Sequence, residues 1–263
     1  MISDFTIFAC VVSLCASVVL PILVMIFYAR RHRGCLGAWL LGAAGFVVPQ
    51  MMIRLPILNV LSGSSGFLAF AQSHPLVYGL GLAFTAGLFE LAGRLASAKL
   101  LEKKLDWNRT LALGMGHGGS EAILLVGTAY INNLVYLFML RAGTFDGLVA
   151  NAGAAAAQLE AVRMALLTTP GWMFLLAGVE RLLTMICHAA MSSMVCLGVH
   201  RKKVLPWALG CLAFHTLLDS AAALTLVMPQ ERALPLIYGA LAVLTVCAGF
   251  VIRYVKAHWE DAQ

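Results

Sequence analysis

Eight residues, Gly114-Met115-Gly116-His117-Gly118-Gly119-Ser120-Glu121, open an apolar run that continues to Leu140. They set an imidazole and a carboxylate four residues apart, so on a helix His117 and Glu121 share one face. A carboxylate near the centre of a bilayer costs on the order of 3 kcal/mol on insertion scales unless it is neutralised or partnered. Glu121 therefore demands neighbours. The glycines remove side chains from the same stretch and let other helices come close. A carboxylate with imidazoles beside it in a water-poor space is a set of groups suited to activating water.

More such groups are embedded in apolar sequence. They are Glu90, Arg94, Glu180, Arg181, His188, His215 and Asp219. The elements that must position them are set by composition. Apolar residues make up 61% of the chain and charged ones 11%, against roughly 25% charged in soluble domains. With a mean hydropathy of +0.89 this is an all-α, polytopic membrane protein. Hydropathy predicts about seven spans, near 5–29, 35–53, 75–101, 111–140, 171–199, 204–228 and 233–256. The expectation is one integral-membrane domain over 1–263, with a four-helix catalytic core over about 75–228. The seven cysteines lie mostly inside apolar runs and form no C-x-x-C, so they read as core residues. The net charge of +6 is spread over short clusters between spans, which argues for membrane lipid as the surroundings and against nucleic acid as a partner.

The bases also orient the chain. Arg30, Arg31, Arg33, Lys99, Lys103, Lys104, Arg109, Arg201, Lys202, Lys203, Arg253 and Lys256 fall on one side, twelve in all. Arg54, Arg141, Arg163 and Arg232 are the four on the other. The richer side is the cytoplasmic one, placing the N-terminus out and the C-terminus in. The first run carries Asp4 and has no basic n-region, so it is expected to be an uncleaved span. On the outer side, residues 54–74 look like a flexible Gly/Ser-rich loop, and 154–168 could form an interfacial amphipathic helix.

With this topology the polar groups acquire depths. At about 1.5 Å of rise per residue, Glu90, Glu121, His188 and His215 each lie about 15–16 Å from the cytoplasmic end of their spans. Four ionisable groups from four consecutive spans thus share the middle of a hydrocarbon core about 30 Å thick. Isolated structural polar residues would scatter in depth. Singly, each has a plainer explanation. A buried His is commonly an interhelical hydrogen-bond partner, Glu90 and Arg94 are spaced for an i,i+4 ion pair, and Glu180-Arg181 suits a helix-packing pair. As a set, the four groups point to chemistry.

That chemistry is hydrolysis. Glu121 and Glu90 would handle the water and its proton. His188 and His215 would stabilise an oxyanion or hold one divalent metal such as zinc. Arg94, His117, Asp219, Glu180 and Arg181 would support them. Asp219, four residues after His215, is placed to orient that imidazole. There is no H-E-x-x-H, so the residues alone leave metal-dependent and metal-free routes open. They also leave open a non-catalytic membrane scaffold and a small-solute or proton-coupled transporter.

Four motifs occur in order on successive spans: Phe89-Glu90-x-x-x-Arg94, Gly116-His117-Gly118-Gly119-x-Glu121, Glu180-Arg181-x6-His188 and Phe214-His215-x-x-x-Asp219. Together, over about 40–256, they resemble the YhfC-like family of intramembrane proteases. That family is related to the PrsW and CAAX-prenyl proteases and to a scaffold subunit of γ-secretase. The resemblance implies an intramembrane endopeptidase of glutamic or metal-dependent type, acting on membrane proteins or peptides in a bacterial plasma membrane. In the CAAX-prenyl proteases the matching signals are E-E-x-x-x-R, F-x-x-x-H and H-x-x-x-N. Carried over, Glu90 and Arg94 match the first, His188 the second, and His215 and Asp219 the third. Phe89 replaces the first Glu, Thr184 the Phe and Asp219 the Asn, and Glu121 is then the substitute carboxylate.

The base asymmetry gives a direct test of orientation. A fluorescent protein fused to the C-terminus should be bright and an alkaline phosphatase fused there inactive. The opposite pair of readings would invert the topology and remove the basis for the shared depth.

Overall fold

Hydrocarbon offers backbone amides no water, so a chain this apolar must satisfy them within helices. The computed structural model does so. It describes residues 2–260, and among these there are helices and turns but no strand. Seven helices are long and apolar enough to cross a membrane: α1 (Asp4–Arg31), α2 (Cys35–Ser62), α3 (Pro75–Lys104), α4 (Trp107–Ala142), α5 (Gly171–His200), α6 (Val204–Leu226) and α7 (Gln230–Trp259). Each matches an expected span. The turns between them use residues suited to left-handed backbone, with Gly34 at φ +85° before α2 and Gly143 at φ +68° after α4.

One boundary differs from expectation. The α2 helix continues through 54–62 instead of ending near 53, and a further helix, Ser65–Ser73, takes up most of what is left of the expected flexible loop. The reason lies in Val47–Arg54, which is wound as π-helix. Pro49 has no N–H to give the ladder, and the widened turns absorb this without ending the helix. Arg54 is consequently not a loop residue. It is 6% exposed, its Nη2 donates to the Leu82 carbonyl at 2.7 Å and its Nε to Thr85 Oγ1 at 3.2 Å. A helix does form in the connection between α4 and α5, over Ala156–Thr168.

The chain packs as two compact units, Met1–Ile22 with Ala122–Leu182 and Leu23–Glu121 with Leu183–Gln263. In the first, Ala9, Cys10, Tyr130, Leu137, Leu166 and Phe174 form the core. There the Phe174 carbonyl accepts from Ser13 Oγ at 2.6 Å and from the Tyr130 hydroxyl at 2.9 Å. Glu180 and Arg181 also belong to this unit and pair with each other, as their adjacency suggests.

The second unit holds Glu90, Arg94, His117, Glu121, His188, His215 and Asp219. Its core includes Leu91, Leu113, Met191, Val195 and Leu197. Here α2 lies directly against α3 and the first half of α4, at backbone contact. A methyl group built on Gly116 would stand 2.0 Å from the Trp39 carbonyl oxygen, and one on Gly93 would stand 1.8 Å from that of Gly45. Only residues without a Cβ permit such approach. Because the obstructing atoms are backbone, a side chain at either position would force helices apart.

Gly116→Ala should therefore destabilise the protein by about 1–3 kcal/mol or more, the usual range for overpacking. Gly249→Ala, where an added methyl meets nothing within 4 Å, should not. Thermal unfolding in detergent reads the difference, and equal melting temperatures would contradict the close crossing.

Candidate active site

Helices α3, α4, α5 and α6 each bring one or two functional groups into the second unit. Helix α3 carries Glu90 and Arg94, and α4 carries His117 and Glu121. His188 comes from α5, and His215 and Asp219 from α6. Glycine sets the spacing at the site too, since a methyl on Gly118 would come within 2.8 Å of His188 Cβ. The site end of α4 has its own irregularity. Glu121 is the last residue before a π-helical stretch, Ala122–Gly127, a feature often found at functional positions.

Arg94 is the hub. It is 0% exposed. Its Nη2 donates to Glu90 Oε2 at 3.3 Å and to His188 Nδ1 at 2.6 Å, and its Nη1 to His215 Nδ1 at 3.4 Å. A guanidinium only donates, so both imidazoles accept at Nδ1 and carry their proton on Nε2. For His188 that nitrogen lies 2.8 Å from Glu121 Oε2. For His215 it lies 3.3 Å from Asp219 Oδ2. Asp219 is the open end of the group, with 38% of its side chain exposed.

Glu90 faces a second helix as well. Its Oε2 lies 2.9 Å from His117 Nε2 and 3.6 Å from His215 Nδ1. The charge on Arg94 requires Glu90 as a carboxylate, an acceptor, so His117 donates through Nε2. Its Nδ1 is then a buried lone pair, and it has no hydrogen-bond partner among the described residues. The His117 ring stacks on His188 at 5.4 Å between centroids and takes the edge of Phe46 at 5.6 Å.

Glu90, Glu121, His188, His215, Arg94, His117 and Asp219 are thus brought together, while Glu180 and Arg181 pair in the other unit. The set of ligand-type atoms close enough to share an ion differs from the expected one. Glu90, His117 and His188 each offer an atom within 4.8 Å of the others. Here His188 stays from the expected pair, His117 replaces His215, and His215 is held between Arg94 and Asp219. Sequence reasoning gave His117 only a supporting place because it stands one turn from Glu121 along α4. Its partner is across the helices, on α3. The signal that marks it is its flanking Gly116 and Gly118, since the closest crossing is where groups from different helices can meet.

Two imidazoles and a carboxylate, all buried, make a donor set of catalytic-zinc type. Ligand atoms around such an ion are about 3.3 Å apart, from bond lengths of about 2.0–2.1 Å, so small rotations of these side chains suffice. The buried lone pair of His117 is also what a ligand nitrogen presents. The residues therefore fit a divalent metal in type, burial and spacing, with the Arg94 guanidinium as a cation already against two of the three.

A family model described as YhfC intramembrane metalloprotease matches residues 16–238. A Bacillus subtilis (strain 168) protein named "Uncharacterized membrane protein YhfC" is 30% identical over 230 residues, covering 86% of this chain and 88% of that protein. No solved structure gives a significant match. A match that takes in α2 to α6 whole and parts of α1 and α7, and so the positions of all four motifs, leads to one conclusion: this integral membrane protein belongs to the YhfC intramembrane metalloprotease family.

Proposed function

We propose that this protein is an endopeptidase of the bacterial plasma membrane that hydrolyses peptide bonds of membrane-associated proteins or peptides. The observation that carries the reading is a buried Glu90–His117–His188 group with Glu121 beside it, inside apolar spans. Glu90, His117 and His188 are the residues that would hold a divalent metal, with zinc the best match to their donor types. Such an ion, when bound, polarises a carbonyl and makes water a stronger acid.

The remaining steps belong to the protein. Glu121, near the Nε2 proton of His188 and just before the irregular turn of α4, takes the proton from the attacking water. Glu121 then returns that proton to the leaving amine, and His215, its Nε2–H at the open Asp219 end of the group, is the donor that meets the developing oxyanion. Asp219 holds that ring in one orientation. Glu90 neutralises Arg94 and fixes His117 through its Nε2. The surrounding helices exclude bulk water, which strengthens each of these interactions.

Two measurements test the reading. Purified protein should retain about one equivalent of divalent metal, the stoichiometry of a three-ligand catalytic site. His117→Ala and His188→Ala should lose it and His215→Ala should keep it. Loss in His215→Ala with retention in His117→Ala would reassign the ligands.

The carboxylates should separate in a cleavage assay on transmembrane peptides. Glu121→Gln should fold normally and lose about 10²–10⁴ in rate, the scale of a missing general base. Glu90→Gln should instead leave Arg94 an unpaired buried cation and cost about 3–5 kcal/mol of stability, partly restored by adding Arg94→Met. A stable, inactive Glu90→Gln beside an active Glu121→Gln would exchange the two assignments.

A further inference from the structure

We infer that Arg94 is a built-in cation that holds the ligand atoms in place and must release His188 for a metal ion to bind. The inference rests on the metal-binding reading above and adds to it a competition between two cations for one set of atoms. Its ground is geometric. The Nη2 of Arg94 stands 2.6 Å from His188 Nδ1 and 3.3 Å from Glu90 Oε2, so it touches two of the three ligand side chains at once.

A neutral imidazole has one lone pair. In His188 that pair is at Nδ1 and points at Arg94. The ring then has two ways to ligate a metal. It can lend Nδ1, in which case an ion at about 2.0–2.1 Å takes the place of Nη2, which stands too close to share that lone pair. Or it can lend Nε2, in which case its proton must move to Nδ1 and would face the N–H of Arg94, donor against donor. Both routes break the contact between Arg94 and His188. Like charge adds to this, because a guanidinium and a divalent ion repel strongly in a water-poor space.

The guanidinium is not stranded by such a displacement. Its other arm already donates to His215 Nδ1 at 3.4 Å. Loading would thus be an exchange, in which Arg94 gives up His188 and keeps His215. A site made this way stays assembled before metal arrives, because Glu90 is never an unanswered buried charge. The same contact lowers metal affinity. Arg94 is a positioning residue in this scheme, since it acts through Glu90, His188 and His215.

The experiment is competition of Zn²⁺ and Co²⁺ between a chromophoric chelator and detergent-purified protein, as wild type, Arg94→Met and Arg94→Lys. Thermal stability is followed with and without metal. Arg94→Met should bind about ten- to a hundred-fold tighter, the scale on which groups beside a ligand tune affinity. Its stability should rise on adding metal by more than that of wild type, because the ion replaces the missing charge beside Glu90. Arg94→Lys, which retains the charge but not the two-armed fork, should fall between. It also keeps the test alive if Arg94→Met does not fold. Cobalt bands of tetrahedral type should appear at lower free metal in both variants. Equal or weaker binding by both variants, with metal bound normally by wild type, would overturn the inference and leave the metal reading standing. Absence of binding in all three proteins would overturn the metal reading and this inference with it.

Discussion

Arg94 places a fixed positive charge in a helix interior with none of its surface exposed, and hydrocarbon obliges the protein to answer that charge within a few ångström. Glu90 answers it from the same helix, at i,i+4 spacing. The guanidinium still has donors to satisfy, and those go to Nδ1 of His188 and of His215. Two histidines from two further helices are thereby fixed in tautomer and orientation. Glu90, in turn, reaches back to His117 on α4. One ion pair thus arranges groups from four helices, and the chemistry proposed for them depends on its being intact.

The glycine crossings serve the same end at the level of backbone. Side chains as short as a carboxylate and an imidazole can meet only if their helices are close, and α4 reaches α2 with no Cβ at Gly116 and reaches His188 past Gly118. The cost of glycine in a helix interior, roughly 0.5–1 kcal/mol relative to alanine, is offset by contacts that a larger residue would abolish. The π-helical turns at Val47–Arg54 and Ala122–Gly127 are local departures of the same kind, one following from Pro49 and the other placed directly after Glu121.

Much of this was legible in the sequence. All seven spans could be read because membrane helices announce themselves by length and apolarity. The shared depth of Glu90, Glu121, His188 and His215 drew attention to four groups that do converge. Periodicity, however, reports which residues share a face of one helix and not which helix lies opposite. For that reason the spacing shows His117 and Glu121 on one face of α4 but not that His117 meets Glu90 on α3. The continuation of α2 past residue 53 was hidden by a rule that is sound on average. Arginine usually marks the end of a span, but Arg54 remains inside one by donating to a carbonyl and a hydroxyl of α3.

The pairing of Glu90 with Arg94 inside one helix also bears on how the chain is made. As α3 leaves the ribosome it brings its own counter-charge and can enter the bilayer as a nearly neutral segment. Glu121 of α4 also meets His188 of α5 at 2.8 Å, a contact that can form only once that later helix is in the membrane. The Glu90–Arg94 pair is thus local and early, and the His188 contact late, so the buried group is completed in the order in which its helices are made.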